Sequence, residues 1–361
     1  MRFWLVGLIG LIFIAGAVAW TSADDPMPTG PYALHYPASF GGRFTIPADN
    51  PTTQEGVYLG RLLFYEPKLS STKTISCASC HQQARAFTDG LPLSVGVSGK
   101  LTQRNSMSLI NLLWVRQLFW DGRSNSLEEQ ALVPLGHADE MGSKPGEAAK
   151  GLQQTAEYPA LFKRVFGSDT ITDARIGKAI AQFERTLISA NSRYDQYLQG
   201  HYQLTESEQR GLNLFNRGPS SDGTVRGGNC AHCHGGPKLY QEVFHNNGLD
   251  QKARDLGRRA ITGLELDHGH FRVPTLRNIR LTAPYMHDGR LATLEDVLNH
   301  YSEHIQNSLT LSHELPGQTN GFHLTVEEKA DLIQFMQLFT DSTFITNPQF
   351  ADPRLKLAGR K

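Results

Sequence analysis

Cys77-Ala78-Ser79-Cys80-His81 and Cys230-Ala231-His232-Cys233-His234 hold every cysteine of the 361-residue chain. Both read C-x-x-C-H, the attachment pattern of a c-type haem. Two thiols three positions apart lie on one side of a helical turn. From there they can add across the two vinyl groups of one porphyrin, and the next His reaches the iron from the same side. A zinc site or a redox dithiol is the alternative for one such motif. Two motifs that use every Cys instead imply two covalent haem c groups, with His81 and His234 as proximal iron ligands.

The flanking sequence repeats as well. Gly60-Arg61-Leu62-Leu63-Phe64 precedes the first motif, and Gly211-Leu212-Asn213-Leu214-Phe215 the second. A longer match follows each motif. Residues 105–134, NSMSLINLLWVRQLFWDGRSNSLEEQALVP, align without gaps on residues 272–301, RVPTLRNIRLTAPYMHDGRLATLEDVLNHY. The identities are Leu109/Leu276, Asn111/Asn278, Asp121/Asp288, Gly122/Gly289, Arg123/Arg290, Leu127/Leu294 and Glu128/Glu295. Self-similarity of this kind reads as two related haem domains in tandem.

The alignment also separates the two haems. Trp120 falls opposite His287, and Pro134 opposite Tyr301. If the last position faces the iron, the second haem gains a phenol oxygen as sixth ligand. The first gains a proline, which cannot ligate and leaves its iron open. Met286, His287, His300 and His304 are rival ligands for the second haem. Met286 is the strongest of them, because thioether ligation is common in c-type cytochromes. Register favours Tyr301.

Lys and Arg total 35, and so do Asp and Glu. A chain of zero formal charge is not built to bind a phosphate backbone, so no nucleic-acid partner is expected. Gly (34) and Pro (18) are abundant, and with 39% hydrophobic residues they point to loop-rich domains with real cores. An uncharged, largely apolar run extends from Phe3 to Trp20, and small residues follow before Asp24. It reads as a signal peptide over residues 1–23, with an N-terminal anchor as the alternative. Either reading exports the remainder, which places it in the periplasm.

Asp173 to Leu187 carries a helical stripe of Ile176, Ile180, Phe183 and Leu187. Thr205–Glu208 and Thr325–Glu328 read as capping boxes that open further helices. Period-two alternation is missing, so little sheet is expected. The fold class expected is all-α: two tandem cytochrome c-like domains, each with one covalent haem. The first spans 45–200 and the second 201–340, with a boundary near Gly200 and a C-terminal tail over 341–361. His268 and His270 read as part of a solvated loop, and Trp114 as buried packing. His313 and His323 have no assigned role.

Taken together, these motifs resemble the bacterial di-haem cytochrome c peroxidase family, and within it the MauG-like branch. The resemblance covers about residues 45–340. It rests on the two haem motifs, on FWDGR-x3-LEEQ-x3-P around 119–134, and on TAPYMH-x-G from Thr282 to Gly289. It implies a peroxidatic haem on His81, an inter-haem Trp120, and a distal pocket of Gln130, Pro134 and the catalytic Glu140. Without the resemblance, Glu140 reads as an ordinary loop carboxylate. A calcium ion between the domains would be held by the Asn105 side chain and the carbonyls of Thr282 and Pro284. Hydrogen peroxide is the implied substrate. Electrons would come from a small periplasmic cytochrome or cupredoxin; in the alternative, a partner protein is oxidised on Trp or Tyr. A non-catalytic di-haem electron carrier is the third reading, and Pro134 and Val97 argue against it. Related peroxidases are often homodimers. Many members of the family place a removable distal His where this chain has Val97, and a Met where it has Tyr301. Both departures match the MauG-like branch. MauG itself carries a surface Trp two residues before its second haem motif, where this chain has Gly228, and this weakens the transfer of a protein-oxidising role.

Overall fold

The computed structural model describes residues 28–219, 226–316 and 319–358. The apolar run of Phe3–Trp20 lies outside them. No helix among the described residues is long and apolar enough to cross a membrane.

The chain is helical with little sheet. Its first half carries α1 (Gln54–Phe64), α2 (Cys77–Cys80), α3 (Leu127–Gly136), α4 (Glu147–Gln153), α5 (Tyr158–Phe166) and α6 (Asp173–Glu184). The second half carries α7 (Arg193–Leu198), α8 (Glu206–Asn216), α9 (Cys230–His234), α10 (Arg259–Thr262), α11 (Leu294–Glu303) and α12 (Val326–Gln337). Two short helices close the chain, α13 (Ser342–Ile345) and α14 (Pro353–Ala358). The strands β1 (Phe244–His245) and β2 (Phe271–Arg272) form one antiparallel pair.

Helix starts follow the capping chemistry of the sequence. Thr205 accepts from the Glu208 amide and Thr325 from the Glu328 amide, and each Glu returns to its cap backbone. Two orphan N–H groups are thereby satisfied at each start.

Two apolar clusters form. In one, α1 packs along α6 around Leu59, Leu63, Phe64, Ile176, Ile180 and Phe183. In the other, α8 packs along α12 around Phe215, Leu332, Phe335 and Phe339. Tyr194 of α7 rings against Phe335 and Phe339, so α7 packs with the second cluster although it precedes Gly200. The segment expected as a tail turns back onto the first cluster, where Phe344 and Phe350 are buried.

The sequence repeat recurs as geometry. Asn111 and Asn278 both adopt left-handed φ, 57° and 58°. Asn111 N–H donates to Leu187 O and Asn278 N–H to Phe339 O, just past the ends of α6 and α12. Phe119 and Met286 also share positive φ, as do Gly122 and Gly289. Isolated bridges close the same turn twice, Leu118–Ser124 and Tyr285–Leu291.

Candidate functional site

Each motif occupies one short helix, α2 or α9, and the four cysteines form no disulfide. His81 Nδ1 lies 2.8 Å from Phe87 O, and His234 Nδ1 lies 3.1 Å from Pro274 O. A carbonyl partner holds the proton on Nδ1 and leaves Nε2 as the ligating lone pair. Burial holds both imidazoles below the usual His range, that of His234 at about 4. Neutral imidazole is the form that binds iron. Cys77, His81, Cys230, His234 and Tyr301 are only half-buried by surface area, yet burial dominates their titration. Both observations hold when a side chain faces an interior void. This is where a haem group fits.

The distal residues expected from the sequence lie on α3 and on two loops tied to it. Gln130 lies on α3, buried, and its Oε1 has no hydrogen-bond partner. A buried orphan acceptor costs about 1–3 kcal/mol, so it marks a place kept for something polar. Pro134 sits one turn on, inside the helix, and removes the amide that would have bonded the Gln130 carbonyl. The Met141 amide donates to Pro134 O at 3.1 Å, which ties the Glu140 loop to α3. The Val97 amide donates to Glu140 O at 2.9 Å, so the Val97 loop is clipped to the same place. Burial raises the Glu140 carboxyl above the usual range, opposed by His137 and Arg123. Its charge is felt at the Cys80 thiol, which sets it beside the first motif.

Around α9, one large apolar cavity is lined by Cys230, Cys233, His234, Met286 and Tyr301. The rival ligands separate here. His300 is buried and spends Nε2 on Asn247 O at 3.0 Å. His304 is exposed at the end of α11. The His287 ring stacks on Phe271 at 3.8 Å. Tyr301, Met286 and His287 all line the cavity wall, and of these the His287 ring is the one stacked on Phe271. Burial pushes the Tyr301 phenol up to about 12 in the absence of a cation.

Trp120 stands between the two sites. Its Nε1–H donates to Asn105 O at 2.9 Å, and its ring meets the edge of Phe271 at 6.4 Å. Phe271 in turn stacks on His287, the residue aligned with Trp120, so the two repeats meet through one aromatic ring. Asn105 directs its Nδ2 to the carbonyls of Leu91 and Pro92, which leaves Oδ1 for a cation. Asn105, Thr282 and Pro284 line the same cavity. Such amide and carbonyl oxygens are the hard donors that calcium takes. No group of three or more His, Cys, Asp or Glu among the described residues could hold a metal ion.

Trp114 is buried, ringed by Tyr36, Phe40 and Phe44, and its Nε1–H donates to Gly41 O at 2.9 Å. His270 is engaged with Thr310 O at 2.9 Å, so it anchors its loop. Two residues escaped sequence reasoning. Phe271 stands just before the second repeat, where only its aromatic character could have marked it. Asn247 lies outside every motif and repeat.

Comparison with known proteins places this geometry. A family model described as di-haem cytochrome c peroxidase matches residues 54–203. The methylamine utilization protein MauG of Methylophilus methylotrophus is 34% identical over 293 residues, covering 81% of this chain and 84% of that protein. The cytochrome c551 peroxidase of Nitrosomonas europaea is 39% identical over 258 residues, covering 70% and 74%. Among solved structures, a MauG-like protein associated with microbial copper homeostasis superposes with a TM-score of 0.79 at 39% identity, covering 90% of this chain and 99% of that one.

Proposed function

The chain belongs to the di-haem cytochrome c peroxidase family, and from that premise we propose that it is an exported enzyme that reduces hydrogen peroxide at an open haem on His81, while a second haem on His234, ligated by Tyr301, stores or relays oxidising equivalents. Two tandem haem domains, divided between α6 and α8, carry the two groups. The bound haems supply the iron that takes peroxide and the electrons that reduce it.

The protein's own residues do the rest. His81 and His234 present Nε2 because their Nδ1 protons are spent on carbonyls. Gln130 orients peroxide through its unpartnered amide oxygen. Glu140 takes the proton from the near peroxide oxygen and delivers it to the far one, which leaves as water; this is general acid–base catalysis by a positioned carboxylate. Two electrons and two further protons complete the conversion to a second water. Pro134 and Val97 keep the distal side free of a protein ligand. Trp120 carries electrons between the sites. Asn105, Thr282 and Pro284 would hold a calcium ion through their oxygens. The observation that carries the proposal is the buried, unpartnered Gln130 Oε1 on the helix to which the Glu140 loop is tied through Met141 N–H and Pro134 O.

A small periplasmic cytochrome or cupredoxin is the simplest electron donor. One observation favours a second reading, in which a partner protein is oxidised. The cavity wall offers a phenol at Tyr301, and axial ligand identity is a main lever on haem potential. A phenolate ligand lowers that potential, which makes the second haem a poor entry port for an ordinary cytochrome.

Stopped-flow absorbance of the fully oxidised protein, mixed with one equivalent of peroxide, tests the proposal. A rapid, long-lived haem spectral change without prior reduction, lost in Tyr301→Met, is expected. An oxidised protein that stays inert until one haem is reduced would mean a sixth ligand on the His81 side and sink the open-site assignment.

A further inference from the structure

Asn247 lines the same cavity as the two side chains that compete for the second iron. Its Nδ2 approaches Met286 Sδ at 3.2 Å. An amide N–H is a donor and a thioether sulfur a weak acceptor, so this contact occupies the sulfur.

The residue is locked in place. His300, one position before Tyr301 on α11, lies 3.0 Å from Asn247 O through Nε2. The neighbouring Asn246 holds Ser308 and Thr310 by its Nδ2, and its Oδ1 accepts from the Gly248 amide at 2.9 Å. The Gln306 amide donates to Gly248 O at 2.8 Å. The loop is thus stitched to both α11 and the segment that follows it.

Met286 is not where an unconstrained residue would rest. Its φ of 78° lies in the left-handed region that a non-glycine side chain rarely adopts. Asn247, Met286 and Tyr301 all line the cavity of Cys230, Cys233 and His234.

We propose that Asn247 is a positioning residue that sets the second axial ligand of the His234 haem: its Nδ2–H occupies the Met286 sulfur and so holds the thioether off the iron. The inference rests on the reading of Tyr301 as a ligand. It adds that Met286 is a standing competitor, held off by an amide that no motif marks. Loss of the donor frees the thioether to compete with Tyr301 for the iron.

The test uses the oxidised holoprotein with Asn247→Leu and the milder Asn247→Ser. Low-temperature EPR, the weak far-red band of thioether-ligated ferric haem, and the reduction potential of the second haem are read. Wild type is expected to lack that band. Both variants should gain it and shift the potential positively, because a thioether favours ferrous iron more than a phenolate does. Adding Met286→Leu to either variant should abolish the band, which a merely structural role would not predict. Variants that keep the wild-type EPR signature and potential would overturn the inference. A wild-type protein that already shows the thioether band would instead overturn the Tyr301 reading itself. If Asn247→Leu fails to load haem, Asn247→Ser decides by the same readouts.

Discussion

Glu140 is half-buried and Glu184 buried, and burial raises both carboxyls. In the proposed mechanism only Glu140 acts on peroxide. Glu140→Gln should lower peroxide turnover by about 10²- to 10⁴-fold with haem content intact, the usual worth of a positioned acid–base group. A raised carboxyl must still be ionised to take the first proton. The acid limb of the rate profile should therefore begin at a higher pH than an ordinary carboxylate would give, and vanish in the variant. Glu184 is buried on α6 with Oε2 unpartnered, and its carboxyl is pushed up to about 8. The folded state holds that proton more tightly than the unfolded one. Its contribution therefore weakens as pH rises from about 4.5 to about 8. Thermal unfolding of Glu184→Gln should show a gain over wild type that grows across this window. A constant offset at every pH would refute the assignment.

Both helix crossings depend on a missing side chain. A Cβ at Gly60 of α1 would lie 1.9 Å from Ala179 O of α6, and one at Gly211 of α8 would lie 2.1 Å from Asp331 O of α12. Neither carbonyl can yield without moving its helix. The two glycines open the short matched stretches before each haem motif, so their recurrence in sequence has a packing cause. Gly60→Ala and Gly211→Ala should each cost about 1–3 kcal/mol, the usual penalty of overpacking. Denaturant unfolding followed at each haem would check this, with the loss confined to the half that carries the substitution. The same reasoning covers Phe119 and Met286. Their shared left-handed turn, closed by matching bridges, brings Trp120 and His287 to the same ring, Phe271.

At the scale of the molecule, the chain closes on itself. Phe344 and Phe350 enter the first cluster, Tyr65 Oη donates to Phe350 O at 2.7 Å, and Arg354 pairs with Glu66. The C-terminal segment thus stabilises the half that precedes it by some 280 positions. Phe344→Ala should destabilise the first half by about 3–5 kcal/mol, the range for a buried Phe. A melt followed at the His81 haem should drop well before one followed at the His234 haem. Coincident, unchanged melts would show that the segment is a passive tail. The buried pair Arg277–Asp195, at 2.6 Å, ties α7 to the second half in the same manner.

The amino-acid sequence by itself determined the chemistry that depends on short spacing. Two C-x-x-C-H motifs, the capping boxes and the gapless repeat are local patterns, and each one is present in the folded chain at its numbered positions. The convergence of Gln130, Pro134, Glu140 and Val97 followed only through family resemblance, because nothing local marks Glu140 as different from another loop carboxylate. Tertiary structure alone decided how the rival ligands are engaged. His300 is spent on Asn247 O and His304 faces solvent, while Met286 and Tyr301 share a wall. It alone revealed Phe271 between the repeats and Asn247 against the Met286 sulfur. Those roles come from contacts across 16 to 151 positions of chain, and long-range contacts leave no periodic or spaced trace in a single sequence.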